Sequence, residues 1–498
     1  MVVKKHFKYY YKIITMSKFY ITTSIAYVNA PPHLGFALEL AQADAVARWR
    51  RRKGDEVFFL TGTDEHGAKI VRAAEAAGKD AKQFVDANAE KFQALKDLLN
   101  ISWDDFIRTS DQERHWPNVK KLWRALVKKG DIYKKIYKGL YCVGHEAFVT
   151  EKDLIDGICR DHGKQPEVVE EENYFFRLSK YASAVREQIA NSQLQIVPAG
   201  RATEIINFID QGIEDISFSR PRKDLQWGIS VPDDDLQTIY VWADALTNYL
   251  YPKNQWPADV HFIGKDILRF HALYWPAMLL SAGLPLPKSI FVHGHITVEG
   301  QKMSKTLGNV IDPVELVKKY GADAVRYYLL REIPPTDDGD FSYKKFEERY
   351  NADLANGLGN FSARVLTLAD RSLRGANEVP TFASRSRDPD QGVGTISTII
   401  LDKINEVKNK VEEKMGEYKF HEALAAIWEL ITFGDQYLNE KKPWSSSLRG
   451  SDEATVAILT ALYILKSVAE LLQPFLPETA EKILKNTSSK ALFPRLDM

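Results

Sequence analysis

Two short stretches of this 498-residue chain carry residue types suited to handling a nucleotide. In Tyr27-Val28-Asn29-Ala30-Pro31-Pro32-His33-Leu34-Gly35-Phe36 a proline pair delivers the chain into a helix N-terminus. First-turn N–H groups and the positive dipole end favour a phosphate there, Gly35 lets a nucleotide approach the backbone, and His33 can donate a hydrogen bond to a pentavalent phosphorus centre. In Gln301-Lys302-Met303-Ser304-Lys305-Thr306, after a turn at Glu299-Gly300, two lysines flank a small polar residue. Such a loop can close over a triphosphate and neutralise charge developing on a departing pyrophosphate. Each stretch also has a plainer reading, as a capped helix with a surface histidine and as a solvated basic loop. Together they carry more weight, because both follow strands ending at one edge of a parallel sheet, where open α/β folds bind nucleotides.

A third set of residues suits a metal. Both cysteines of the chain stand in Cys142-Val143-Gly144-His145 and Cys159-Arg160-Asp161-His162, so a C-x2-H pair occurs twice with residues 146–158 between. Four nitrogen and sulfur ligands at this spacing suffice for a closed, structural Zn²⁺ site. Two reduced thiols beside unrelated histidines is the alternative.

Positioning these residues requires a particular frame. Residues 19–25 read as a buried strand. A helix follows with Leu34, Leu38, Ala41, Ala45 and Trp49 at helical spacing, stopping at Lys53-Gly54 behind three arginines. With a second strand at 56–61 this is half of a Rossmann-like α/β fold. Residues 261–293 repeat the strand-helix-strand order as the other half. The stretch 113–235 between them is too long for a loop and is read as an inserted connective domain. The catalytic domain is thus expected at 17–112 and 236–345. From 346 to the end strands vanish, and amphipathic stretches at 346–374, 396–419, 420–440 and 453–473 predict a helical bundle.

Bulk properties narrow the class. Sixty-seven basic residues balance 67 acidic ones, so any nucleic-acid contact must be local. No uninterrupted apolar run approaches twenty residues, which argues against a membrane span. Two cysteines and no signal peptide point to a reducing compartment, the cytoplasm. Residues 1–16 read as an N-terminal extension, basic and aromatic but without the arginines or amphipathic period of a transit peptide.

The motifs resemble those of a known family. His33-Leu34-Gly35-Phe36 looks like the HIGH signature of class I aminoacyl-tRNA synthetases, and Lys302-Met303-Ser304-Lys305-Thr306 like their KMSKS signature. The loop Thr61-Gly62-Thr63-Asp64-Glu65-His66-Gly67, the run Tyr240-Val241-Trp242-Ala243-Asp244-Ala245 and the run Phe262-Ile263-Gly264-Lys265-Asp266-Ile267 with Phe270-His271 resemble methionyl-tRNA synthetases, from about residue 17 to 475. The resemblance implies ATP, as its Mg²⁺ salt, bound by His33, Gly35, Phe36, Gly264, Asp266, His293, Lys302 and Lys305, with His33 and the two lysines catalytic. It implies methionine bound by Asp64 at the amino group and by Ile25, Tyr27, Trp242, Ala245, Leu246, Tyr249, Ile267 and His271 around the side chain. Read alone, Trp242 and Tyr249 fit core packing equally.

It further implies that Asn360, Arg364 and Trp444 read the anticodon of initiator and elongator tRNA(Met), and that Cys142, His145, Cys159 and His162 hold a structural zinc in a subgroup with a single knuckle. His145 stands where that pattern usually has cysteine, and Phe36 where the signature ends in histidine. The chain ends without the extra domain that makes some relatives dimers, so a monomer is expected. A cysteine-activating enzyme would need a zinc ligand near residues 24–30, where Ser24, Ile25, Tyr27 and Asn29 offer no thiol or imidazole. A catalytically dead RNA-binding homologue would not need intact His33, Lys302 and Lys305.

Overall fold

The computed structural model describes residues 17–144, 147–149, 154–160, 163–252, 254–303, 308–373, 396–448, 450–485 and 492–496. The extension 1–16, the polar segment 375–392, His145, His162, Ser304, Lys305 and Thr306 lie outside the described residues.

Among the described residues six strands form the central sheet: β1 (Lys18–Tyr27), β2 (Glu56–Asp64), β3 (Asp105–Arg108), β4 (Gln195–Val197), β5 (Val260–Gly264) and β6 (Ser289–His293). Their order is β3-β2-β1-β5-β6-β4, and every neighbouring pair is parallel. A parallel sheet is covered on both faces, so its strands read as continuous apolar runs. Here Ile21, Phe262 and Phe291 face one core, while Ile263, Ile290 and Val292 face the other, and all are fully buried. The chain leaves β1 towards β2 on one side and returns to β5 on the other, so the order reverses between β1 and β5. Crevices for ligands open at the carboxyl ends of strands at such a reversal.

The helix α1 (Leu34–Arg52) packs on β1 and β2 and is buried on almost every side, from Phe36 to Ala47 without a break. It stops at Lys53, as the sequence expects, with Arg50, Arg51 and Arg52 in its last turn.

The stretch 113–235 is less separate than its sequence suggests. Its physically distinct part is an antiparallel sheet built on Ile132–Cys142 and Glu167–Phe176, paired from Ile132 with Phe176 to Tyr141 with Glu167. The helix Trp116–Lys128, by contrast, buries Val119, Leu122, Trp123 and Leu126 in the core that covers β5 and β6. β4 also comes from this stretch, where Gln195, Ile196 and Val197 pair with Ser289, Ile290 and Phe291. A three-residue strand carries too little periodicity to be seen in sequence.

Beyond residue 342 the regular elements among the described residues are helices: Tyr343–Arg349, the π-helix Tyr350–Gly359, Asn360–Leu373, Thr398–Gly416, Phe420–Lys441, Asp452–Leu472 and Pro477–Leu484. Asp452–Leu472 is long and apolar enough to cross a membrane by length and composition, but most of it is buried in the bundle. That burial accounts for its apolar character.

Candidate active site

α1 begins where β1 ends, which brings His33 to the reversal point. His33 is the N-cap, and its Nδ1 accepts from the Gly35 N–H at 3.0 Å. That bond fixes the tautomer, because a ring accepting through Nδ1 carries its proton on Nε2 and presents a donor there. Burial lowers the His33 pKa, His295 and His293 add to this, and Asp266 opposes it. The neutral imidazole still donates, through Nε2.

The first-turn amides, expected to face an anion, are already engaged. Leu34 N–H donates to the Ile311 carbonyl at 3.2 Å, Gly35 N–H to the His33 ring, and Phe36 N–H to the His33 carbonyl at 3.1 Å. A helix end exchanges open donors for internal ones whenever acceptors lie near. The dipole and His33 Nε2 are what this helix start presents. Phe36 turns inward, nearly buried, and packs edge-to-face on Phe92 with ring centroids 5.3 Å apart. Its ring thus serves the core on which the helix start rests.

The lysine stretch arrives from the other half of the sheet. Gln301–Lys302 pairs antiparallel with Ile296–Val298, and both turn residues, Glu299 and Gly300, have positive φ as a tight hairpin demands. Lys302 is exposed. A Cβ added to Gly35 would lie 2.9 Å from His33 Cε1 and 3.9 Å from Met303 Cε, so the two signatures meet across this glycine. The Leu34–Ile311 bond ties the helix start to the segment that follows the lysine stretch.

Gly264, Asp266 and His293 complete this edge. A Cβ on Gly264 would fall 2.8 Å from Asp266 Oδ1 and 3.7 Å from His293 Nε2. His293 Nδ1 pairs with the Gly294 carbonyl at 2.7 Å and Nε2 with Glu39 Oε2 at 2.9 Å. Burial opposes the imidazolium, but the hydrogen bond and charge of Glu39 outweigh it and raise the His293 pKa above the ordinary histidine value. Glu39 also accepts the Ser24 N–H at 2.8 Å and its hydroxyl at 2.6 Å. Ser24 lies where the β1–β2 register slips between Thr22 and Ile25, so Glu39 takes a donor that the bulge frees. Sequence analysis missed Glu39, although a carboxylate between Leu38 and Leu40 in a largely apolar stretch signals a buried polar partner.

Beside this edge lies the aromatic pocket. Trp242 stacks on Phe270 at 3.7 Å between centroids, and the His271 ring stands edge-on to Trp242. Tyr249 O–H lies 2.8 Å from His271 Nε2, while His271 Nδ1 lies 3.0 Å from the Ile267 carbonyl. The carbonyl can only accept, so Nδ1 carries the proton and Nε2 accepts from the tyrosine. Burial pushes the His271 pKa down to about 4 against the Ile267 carbonyl and Asp266. This histidine is neutral, which suits a thioether slot. Ala245, Leu246 and Tyr249 are buried, and Tyr27, Trp242 and Ile267 are half-buried against the same core. Ile25 packs instead on the Tyr20, Leu60, Ile107 and Ala258 cluster. Asp64 is nearly buried at the end of β2, 3.5 Å from Thr109 Oγ1.

In the bundle, Arg364 is held by Asp435 and by Asn439 Oδ1 at 2.8 Å, with its guanidinium 5.4 Å from the centre of the half-exposed Trp444 ring. Asn360 is exposed one turn before Arg364. Cys142 and Cys159 are buried together with Val149. Among the described residues no group of three or more His, Cys, Asp or Glu side chains is arranged to hold a metal.

The chain matches the family model of class I tRNA synthetases (M) over residues 19–161 and 149–366, and that of the anticodon-binding domain of tRNA ligases over 397–496. It is 43% identical over 488 residues to a methionine–tRNA ligase of Brucella suis, covering 95% of this chain and 92% of that one. It is 42% identical over 486 residues to the Thermotoga maritima ligase, covering 95% and 75%. A Mycobacterium tuberculosis methionyl-tRNA synthetase solved in complex with methionyl-adenylate superposes with a TM-score of 0.86 at 40% identity, covering 94% of this chain and 93% of the other. With the class I model spanning most of the sequence and such relatives aligned along nearly all of it, the chain belongs to the methionine–tRNA ligases, the methionine branch of the class I tRNA synthetases.

Proposed function

We propose that this chain activates methionine with ATP as the methionyl adenylate and transfers it to initiator and elongator tRNA(Met). The observation that carries this is the meeting of His33 and Met303 across Gly35, beside Gly264, Asp266 and His293. The related Mycobacterium tuberculosis structure holds methionyl-adenylate, the product of such a site.

In this reading His33 Nε2–H donates to a non-bridging oxygen of the phosphate whose phosphorus the methionine carboxylate attacks. Lys302 and Lys305 neutralise the departing pyrophosphate, and ATP enters as its Mg²⁺ salt. Asp64 holds the ammonium group. The Tyr249–His271 pair keeps a neutral, aromatic slot for the thioether. Asn360, Arg364 and Trp444 read the anticodon, Trp444 by stacking on an unpaired base. The burial of Cys142 and Cys159 in one cluster fits two soft ligands of a structural zinc, with His145 and His162 as the others. The two thiols are not joined by a disulfide, which fits a cytoplasmic protein. The proposed domain division is an extension to 16, a catalytic domain split around an insertion, and an anticodon-binding part from 346; a monomer completes the reading. Amino-acid-dependent ATP/pyrophosphate exchange over all twenty amino acids tests it, with exchange expected for methionine far above the rest. Strong exchange with another amino acid alone would overturn it.

A further inference from the structure

One buried cluster beside the site has no part in the chemistry above. The Asp244 carboxylate, 1% exposed, lies 2.6 Å from His66 Nδ1 and 2.6 Å from His115 Nε2. Burial alone would raise its pKa, but the charge and hydrogen bond of His66 and the hydrogen bond of His115 bring it below the ordinary carboxylate value. It is thus an acceptor for two ring N–H groups. His115 is fully buried, and its Nδ1 has no hydrogen-bond partner. A neutral ring with its proton on Nε2 leaves only a lone pair unsatisfied there, whereas a charged ring would strand an N–H.

Three distant pieces of chain meet at this carboxylate. His66 stands two residues beyond Asp64 in the loop that ends β2, and His115 caps the helix Trp116–Lys128. Asp244 belongs to the helix Val241–Leu246, whose neighbouring residues Trp242, Ala245 and Leu246 wall the aromatic pocket. The loop is gripped from outside as well. Trp227 stands edge-on to His66 with centroids 5.6 Å apart, and its Nε1–H donates to the Glu65 carbonyl at 2.6 Å. Asp64 ends β2 two residues before His66, with its side chain 3.5 Å from Thr109 Oγ1, so a shift of the loop backbone at His66 carries its carboxylate along. A hydrogen-bonded residue at 244 without charge would avoid the cost of burying a carboxylate. Only a carboxylate accepts two ring donors at once at this distance.

We propose that Asp244 is a positioning residue which, through His66, sets the Asp64 carboxylate against the pocket wall. The ammonium group and side chain of the amino acid are then read at a fixed separation. This rests on the reading of Asp64 as the ammonium ligand. Its consequence is discrimination: the clamp acts on substrates bearing an α-amino group and not on the same side chain without one.

The test uses the full-length enzyme in pyrophosphate exchange, with the α-hydroxy analogue of methionine as a competitive inhibitor. Asp244→Asn keeps the shape but offers one acceptor. It should raise the methionine KM on the order of tenfold, the scale of one weakened charge-assisted hydrogen bond. The ATP KM and the analogue's inhibition constant should stay near wild type. His66→Leu should do the same, and His66→Asn, which keeps a donor at the Nδ1 position, should regain most of the affinity. Asp64→Asn serves as the reference. If it weakens methionine selectively and neither Asp244→Asn nor His66→Leu does, the clamp is overturned and the role of Asp64 stands. If Asp64→Asn leaves discrimination intact, the ammonium reading falls and the clamp with it. Parallel losses for methionine, analogue and ATP in Asp244→Asn and His66→Leu would show a collapsed pocket and overturn the proposal.

Discussion

The imidazoles along the sheet edge are chemically alike in sequence and different in the fold. Desolvation lowers the His33 pKa and, at the buried His271, pushes it down to about 4, whereas His293, paired with Glu39, is held above the ordinary histidine value. A raised folded-state pKa means that the native protein binds more protons than the unfolded chain, so its contribution to stability is full below about 6.5 and is lost as pH rises through the folded value. Glu39→Gln should therefore cost most stability at low pH and progressively less above neutrality, read as the difference in melting temperature from wild type across pH 5.5–9. A pH-independent difference would mean that the pair is not ionised. At the lysine loop the chemistry is transition-state charge, so Lys305→Ala should lower the adenylation rate by ~10²-fold or more while the methionine KM moves little. Equal losses in both terms of pyrophosphate exchange would remove Lys305 from that role.

Secondary elements decide which residues can cooperate. The β1 bulge releases the Ser24 donors to Glu39 on α1, and the hairpin at Glu299-Gly300 turns the chain back so that Met303 meets Gly35. Both features are local irregularities in otherwise regular strands, placed where the chain must leave the sheet. The inserted antiparallel sheet buries Phe176 in the core that covers β5 and β6 but leaves one face open, with Ile136 and Val168 at 68% and 69% exposure. A small sheet of this kind gains most from a metal staple. Zinc analysis of purified protein should give about one equivalent, and Cys159→Ser should remove it, with methionine activation impaired less than tRNA charging. A metal-free wild-type protein with full charging activity would leave the cysteines as packing residues.

At the scale of the whole molecule the catalytic half and the helical bundle share one apolar core, running from Phe19 and Leu34 to Phe475 and Phe493. A buried ion pair stitches it: Arg326 lies 2.8 Å from Asp44 of α1, both side chains fully buried, and donates to the carbonyls of Leu99, Pro474 and Phe475. Arg326→Leu leaves Asp44 paired with Arg48 at 2.7 Å but strips the carbonyls of Leu99, Pro474 and Phe475 of their buried donor, so it should destabilise by about 1–3 kcal/mol in urea unfolding. A variant as stable as wild type would mean that water reaches these carbonyls. Recognition by the bundle lies far along this core from the chemistry. Trp444→Ala should leave pyrophosphate exchange near wild type and lower tRNA charging by ~10-fold or more, the worth of one stacked base. Matching losses in both assays would indicate misfolding instead.

Sequence alone determined the frame, because its signals are local. Apolar runs at 19–25, 56–61, 261–264 and 289–293 became β1, β2, β5 and β6, and the four amphipathic stretches after 345 became helices close to their expected limits. The two signature stretches marked His33 and Lys302, and the family resemblance Gly264 and Asp266, as candidates for the same sheet edge. The tertiary structure decided what each group is. Phe36 is a packing residue, the first-turn amides are already satisfied, and Glu39 and Asp244 are acceptors for partners 254 and up to 178 residues away in sequence. It also took β4 from the stretch read as insertion. These outcomes depend on burial and on which donor lies within 3 Å, quantities set by the meeting of remote segments and written in no single window of the chain.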